Sequence, residues 1–181
     1  AISGSNAKST VTTLVGDMAK CANINAAVGG NLGEPALNLL SPNCEAYVLE
    51  LSSFQLERCS DLQSKVACLL NVSADHMDRH HTMMAYHQAK QRVYRGAQHI
   101  VFNRHDHLTA PLRTVDVSIK SFGLDVPDLG QFGVKEIQGQ RYLVKGFESL
   151  MPVSDIPLIG DHHILNTLAA LAIGDAAGFP L

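Results

Sequence analysis

Lys65-Val66-Ala67-Cys68-Leu69-Leu70, running into Asn71-Val72-Ser73-Ala74-Asp75-His76, decides the fold. The first run is apolar without the in-and-out alternation of a half-solvated strand, so it reads as a strand covered on both faces, as in a parallel sheet. Tyr47-Val48-Leu49 has the same texture. Outward from these, residues 26–28, 46–51, 65–70 and 99–102 read as strands, each followed by polar or Gly-rich residues. Residues 8–21 and 82–94 carry apolar positions at helical spacing. This alternation predicts an α/β domain, a mostly parallel sheet flanked by helices and joined by right-handed crossovers. From about 117 to 158 the texture changes. Residues 118–122, 133–137 and 141–145 are short, with Gly139-Gln140 as a hairpin turn between the last two, and predict a small antiparallel annex. A helix over 162–177 closes the chain, stopped by Gly178 and Pro180.

Composition narrows the function classes. A chain of 181 residues with 46% hydrophobic and 17% charged residues is not disordered. One domain of this size buries ~70% of its unfolded surface. Fourteen Lys+Arg against 17 Asp+Glu give a net charge of -3, which argues against general nucleic-acid binding or docking on anionic lipid. No apolar run approaches the ~18 residues of a membrane span. Ala1-Ile2-Ser3-Gly4 carries no signal peptide, and the cysteines Cys21, Cys44, Cys59 and Cys68 form no C-x-x-C pair. The expectation is a cytoplasmic globular domain with reduced thiols. Only a strand stub precedes Gly4, so the chain reads as cut from a longer protein at a domain boundary.

Four features carry chemistry. Gly4-Ser5-Asn6-Ala7-Lys8-Ser9-Thr10 follows the stub and opens a helix, so consecutive N–H groups would cradle an anion. Lys8 would reach phosphates, and a Ser9 or Thr10 hydroxyl would meet magnesium. The loop is shorter than a standard phosphate loop, and a Ser/Thr/Asn-capped helix with a solvated lysine is the alternative. Glu50 ends a buried strand, where a carboxylate either faces a ligand crevice and its magnesium or is a strand-end charge. His76, Asp78, His80 and His81 crowd one loop, which reads as a solvated loop or as a zinc site of a hydrolase. Lys90 shares a helical stripe with Met83, Tyr86, Val93 and Ala97, so its amine either snorkels outward or is neutralised by a partner or a modification.

Five segments, in order, resemble those of the Mur ligases, the ATP-dependent amino-acid ligases of peptidoglycan precursor synthesis. They are Gly4-Ser5-Asn6-x-Lys8-Ser9-Thr10, Gly29-Gly30-Asn31-x-Gly33, Leu49-Glu50-Leu51-Ser52-Ser53-Phe54-Gln55-Leu56-Glu57, Asn71-Val72-x-x-Asp75-His76-Met77-Asp78-Arg79 and Ala89-Lys90. The resemblance covers the family's central, mononucleotide-binding domain. It implies that residues 1–181 come from a three-domain enzyme whose UDP-binding and C-terminal domains are absent, and that the piece alone is inactive. The segment from Glu50 to Glu57 implies an enzyme that adds D-glutamate to UDP-N-acetylmuramoyl-L-alanine through an acyl phosphate, serving cell-wall synthesis and with it cell shape and division.

The same resemblance implies a site. Gly4, Ser5, Asn6, Ala7, Lys8, Ser9 and Thr10 would hold the ATP phosphates, and Asn166 would contact adenine. Ser9 and Glu50 would hold one magnesium; His76 and a carbamylated Lys90 would hold a second. Asn31, Ser52 and His76 would meet the muramoyl-alanine substrate, and Lys8, His76 and Lys90 would be the catalytic residues. Ala7 stands where the family usually has glycine, and His163 where an asparagine is common. We expect Ala7 at negative φ with its N–H still facing the cradle. Another Mur ligase or a folylpolyglutamate synthetase is the alternative within the class, with Phe54-Gln55 weighing against both. A non-catalytic nucleotide-binding module is the alternative outside it.

Overall fold

The computed structural model describes residues 1–112 and 116–181. In chain order the strands are β1 (Ile2–Ser3), β2 (Ala26–Gly30), β3 (Ala46–Glu50), β4 (Val66–Leu69), β5 (His99–Asn103), β6 (Ser118–Phe122), β7 (Phe132–Ile137), β8 (Gln140–Lys145) and β9 (Glu148–Pro152). The helices are α1 (Lys8–Cys21), α2 (Ser53–Arg58), α3 (Met77–His80), α4 (Met83–Gln91) and α5 (Asp161–Ala177). The strands form one sheet in the order β2-β3-β1-β4-β5-β6-β7-β8-β9. Among the described residues pairing is parallel from β2 through β7, and antiparallel for β7–β8 and β8–β9.

The double burial read from 65–70 is present. Val66, Cys68 and Leu70 join one apolar cluster with Val11 and Val15 of α1 and Leu168, Ala172 and Ile173 of α5. Ala67 and Leu69 join a second cluster with Leu56 of α2, Tyr86 of α4 and Val93. Each fully buried Leu or Val contributes roughly 1.5–3 kcal/mol, so a strand with both faces covered is held from two sides. Helix α5 keeps the expected Gly178 stop, a left-handed residue at φ 87° whose N–H donates to the Asp175 carbonyl.

Several local expectations change. Ser118–Phe122 is not part of the antiparallel annex: it pairs in parallel with β5 along its whole length and with β7 at Phe122↔Phe132. The annex is β7–β8–β9, and its hairpin turns at Gln138-Gly139, both at positive φ (52° and 79°), one residue earlier than read. Mirror-image turns of that kind match the strand twist. Residues 82–94 form an α-helix only to Gln91 and then tighten into a 3-10 turn. Strand β9 and helix α2 are additions to the sequence reading. The annex is anchored through Asp175 of α5, which accepts from Lys120 of β6 at 2.5 Å and Lys145 of β8 at 2.6 Å.

Candidate functional site

Chain direction reverses around β1. From β1 the chain moves to β2 on one side, and from β3 it crosses to β4 on the other. The loops leaving β1, β3 and β4 therefore meet at the carboxyl edge of the sheet, the place where open α/β sheets bind ligands.

The loop after β1 is clamped to the loop after β4. Ser5 N–H donates to the Asn71 carbonyl (3.0 Å), and Asn6 N–H to Asn71 Oδ1 (2.8 Å). Ser5 Oγ accepts from Ser73 N–H at 3.0 Å and lies 3.0 Å from Tyr86 Oη. These bonds force the chain to turn at Ala7, which sits at φ 66° and ψ 1°. The expectation of negative φ is wrong. A left-handed alanine costs ~1–2 kcal/mol, and the surrounding bonds over-determine it. Ala7 is the N-cap of the 14-residue α1, which has no side-chain cap and no acidic residue in its first turn. The positive end of that helix dipole and its free N–H groups suit an anion. Lys8 Nζ, bonded to the Ser5 carbonyl at 3.1 Å, sits over the same loop.

Glu50, at the end of β3, is 2% exposed. Its Oε2 accepts from Ser9 Oγ at 2.7 Å and its Oε1 from Asn31 Nδ2 at 2.8 Å. Gly30 permits this arrangement. It lies at φ +106°, and a Cβ there would meet the Glu50 carbonyl oxygen at 2.5 Å. The hydroxyl and carboxylate are hard oxygen donors beside an anion cradle, a donor set that fits magnesium.

A cavity of about 220 Å³ opens next to the loop, lined by Lys8, Asn31, Ser52, Ser53, Phe54, Asp75, His76, Tyr86 and Lys90. It thus gathers five of the expected site residues, one from each of the five segments. Ser52 also caps α2, in a capping box with Gln55. His76 is exposed at φ 54°, 3.4 Å from Asp75 Oδ2 and against the Phe54 ring. Lys90 does not snorkel. It is 2% exposed, its Nζ donates to the Gly4 carbonyl at 2.7 Å, and it lies 4.6 Å from the centre of the Tyr86 ring. Burial, with Lys8 nearby, lowers its amine from 10.5 to about 7.

Not all the candidates converge. Asn166 lies on α5, which packs beside α1, and is not on the cavity wall. The histidine-rich loop does not assemble zinc ligands: Asp78 and His81 are exposed while His80 is buried. Among the described residues no three His, Cys, Asp or Glu side chains group as a metal site. His76 and unmodified Lys90 do not by themselves fit a second magnesium, since an amine is a poor ligand for it. Sequence reasoning missed Ser53 and Tyr86 as parts of the site, and named His80 only as a candidate zinc ligand. Only Ser52-Ser53-Phe54-Gln55, a Ser-x-x-Gln capping pattern, signalled that a helix starts there.

Residues 2–174 match the family model described as the Mur ligase middle domain. The chain belongs to the Mur ligase family. The UDP-N-acetylmuramoylalanine–D-glutamate ligase of Pseudomonas fluorescens is 56% identical over 180 residues, which is 99% of this chain and 40% of that protein. The enzyme of the same name from Acinetobacter baylyi is 52% identical over 182 residues, covering 41% of its length. The chain thus spans about two-fifths of these curated relatives. Among solved structures, a UDP-N-acetylmuramoyl-L-alanyl-D-glutamate–2,6-diaminopimelate ligase superposes with a TM-score of 0.80 at 22% identity, over 99% of this chain and 43% of that one. MurF from Acinetobacter baumannii gives 0.76 at 24% identity, with the same coverages. At such identities the likeness is one of fold, and it places this mostly parallel sheet with the middle domains of Mur ligases. No helix among the described residues is long and apolar enough to cross a membrane.

Proposed function

We propose that this chain is the central ATP-binding domain of a three-domain cytoplasmic ligase that joins D-glutamate to UDP-N-acetylmuramoyl-L-alanine. The single observation that carries the reading is the Ser9–Glu50–Asn31 cluster under the uncapped start of α1, with Lys8 and Lys90 on the adjoining wall. Relatives at 52–56% identity that bear the name of that enzyme support the choice of substrates.

In this reading Gly4 to Thr10 hold the ATP phosphates through backbone N–H groups, and Lys8 neutralises the phosphoryl group that moves. Ser9 and Glu50 would hold a magnesium ion, which would draw charge off the phosphates. Asn31 keeps the Glu50 carboxylate oriented and faces the sugar-peptide substrate, as do Ser52 and His76. ATP phosphorylates the alanine carboxylate; the amine of D-glutamate attacks the acyl phosphate, forming the amide as phosphate leaves. Charge neutralisation and alignment supply the catalysis, so no covalent nucleophile is needed. Asn166 on α5 would meet adenine.

Lys90 is carbamylated in the working enzyme. At a pKa of about 7 much of the amine is neutral at physiological pH, the form that adds carbon dioxide. The resulting oxygens would give His76 a hard partner for a second magnesium. A non-catalytic nucleotide-binding module would have no use for a buried reactive amine.

Two measurements test the reading. Calorimetry on the 181-residue chain should show Mg-ATP binding that Lys8→Ala abolishes. The longer protein containing this domain should release phosphate only when both D-glutamate and UDP-N-acetylmuramoyl-L-alanine are present. Release with either one omitted would refute the ligase assignment.

A further inference from the structure

Behind the cavity wall, three side chains stand in a row. Ser53 Oγ lies 2.9 Å from His80 Nε2, and His80 Nδ1 lies 3.6 Å from Glu57 Oε1. The His80 ring is held flat against Phe54 (centroids 5.4 Å apart, 6° between planes) and tilted on Tyr86. Its side chain is 0% exposed, and burial lowers its pKa below the usual 6.5, so the ring is neutral near pH 7.

A neutral imidazole has one N–H, and the surroundings decide where it sits. Nδ1 has no hydrogen-bond partner among the described residues; it faces the Glu57 carboxylate at 3.6 Å, a charge contact longer than a hydrogen bond. A proton on Nδ1 points at that negative charge, whereas a bare lone pair there would be repelled by it. Glu57 is itself fixed by Arg79, which donates to Oε2 at 3.1 Å. With the proton on Nδ1, Nε2 can only accept. Ser53 must then spend its one hydroxyl proton on His80, which leaves only lone pairs on Oγ for the cavity that Ser53 lines.

The other polar residues on the wall include Lys8, a donor; Asn31, whose Nδ2 is already given to Glu50; Ser52, His76 and Lys90; and Asp75, an exposed carboxylate. A ligand that brings an N–H into this cavity needs an acceptor there. We propose that Ser53 supplies it, as a substrate-contacting residue whose lone pairs take an amine or amide N–H, with His80 and Glu57 as positioning residues. The inference rests on the ligase reading, in which that N–H belongs either to the alanyl amide of the UDP-linked substrate or to the D-glutamate amine.

Two experiments test it. Nitrogen-15 NMR of the 181-residue chain at pH 7.5 should show His80 protonated at Nδ1 and bare at Nε2; a proton on Nε2 would reverse the polarity and overturn the proposal. In the full-length ligase, Ser53→Ala and His80→Phe should each raise the KM of one substrate about 3- to 10-fold with kcat little changed. The double variant should be no worse than the poorer single one, because both act through one contact. A rise for the UDP-linked substrate assigns the contact to its amide, and a rise for D-glutamate assigns it to the amine. An active parent whose Ser53→Ala variant keeps both KM values overturns the proposal alone. An inactive parent overturns the ligase reading and the proposal with it.

Discussion

Replacing Lys90 by methionine should stabilise the domain, and the gain should depend on pH. The amine falls from 10.5 in the unfolded chain to about 7 in the folded one. That gap of about 3.5 units corresponds to ~5 kcal/mol of disfavour for the buried cation, at 1.36 kcal/mol per unit. Methionine fills a similar volume and carries no charge. It gives up the bond to the Gly4 carbonyl, which costs about 1–3 kcal/mol once that oxygen loses a partner. The net expectation below pH 7 is a gain of about 2–4 kcal/mol. Because the folded pKa lies below the unfolded one, the unfolded state binds the extra proton between the two values. Parent stability therefore rises relative to the variant by ~1.4 kcal/mol per pH unit from about pH 7 to 10.5. Near pH 10.5 the parent should equal or exceed the variant, since its neutral amine keeps the Gly4 bond at no charging cost. Urea midpoints for both proteins from pH 6 to 10.5, in carbonate-free buffer, measure the difference. A difference that does not change with pH, or a variant less stable than its parent at pH 6, would refute the burial of a titrating amine.

Gly30→Ala should cost at least ~2 kcal/mol in urea unfolding, because it combines positive φ with a clash against the Glu50 carbonyl; an unchanged midpoint would contradict the close approach. Glu50→Gln should leave the fold intact, since an amide can still meet Ser9, yet weaken Mg-ATP far more than metal-free ATP in calorimetry. Equal weakening of both would remove Glu50 from the cation site. Ala7→Gly exchanges ~1–2 kcal/mol of backbone strain for ~0.4–1 kcal/mol of unfolded-state entropy and some methyl packing. Its melting temperature should match or slightly exceed the parent's, and a drop of many degrees would mean that the left-handed geometry is not strained. Asp175→Asn should destabilise by about 1–3 kcal/mol, read by thermal melting, because two lysines lose their shared counter-charge.

Much of this molecule is legible from local chemistry. Val66 to Leu69 need no context to read as a doubly covered strand, and the helical stripe holding Lys90 already posed the question that burial answers. What escaped depends on partners distant in sequence. Ser118–Phe122 looks like an annex strand because neighbouring short strands share its texture; only β5 beside it makes it parallel. Ala7 violates its intrinsic preference because Asn71 and Ser73, more than sixty residues away, hold Ser5 and Asn6 in place. His80 reads as one polar residue among several, yet the rings of Phe54 and Tyr86 enclose it and turn it toward Ser53. The local pattern names the chemistry present, and long-range packing chooses which atoms face it.

The two-residue β1 has a thermodynamic consequence. Its loop is joined to Asn71 across 65 residues, to Tyr86 across 81 and to Lys90 across 86. No fragment of the fold can hold the cradle unless the centre of the sheet is already closed. Any opening that frees β1 from β3 and β4 therefore dissolves the site, and a ligand bound there resists that opening by mass action, RT ln(1 + [L]/Kd). Amide protons buried in β3 and β4 would then exchange more slowly with a nucleotide bound, even though they never touch it. Frayed turns of the β7–β9 annex, remote from the cradle, would exchange at their old rate. In this architecture occupancy at the carboxyl edge is felt as rigidity through the middle of the sheet.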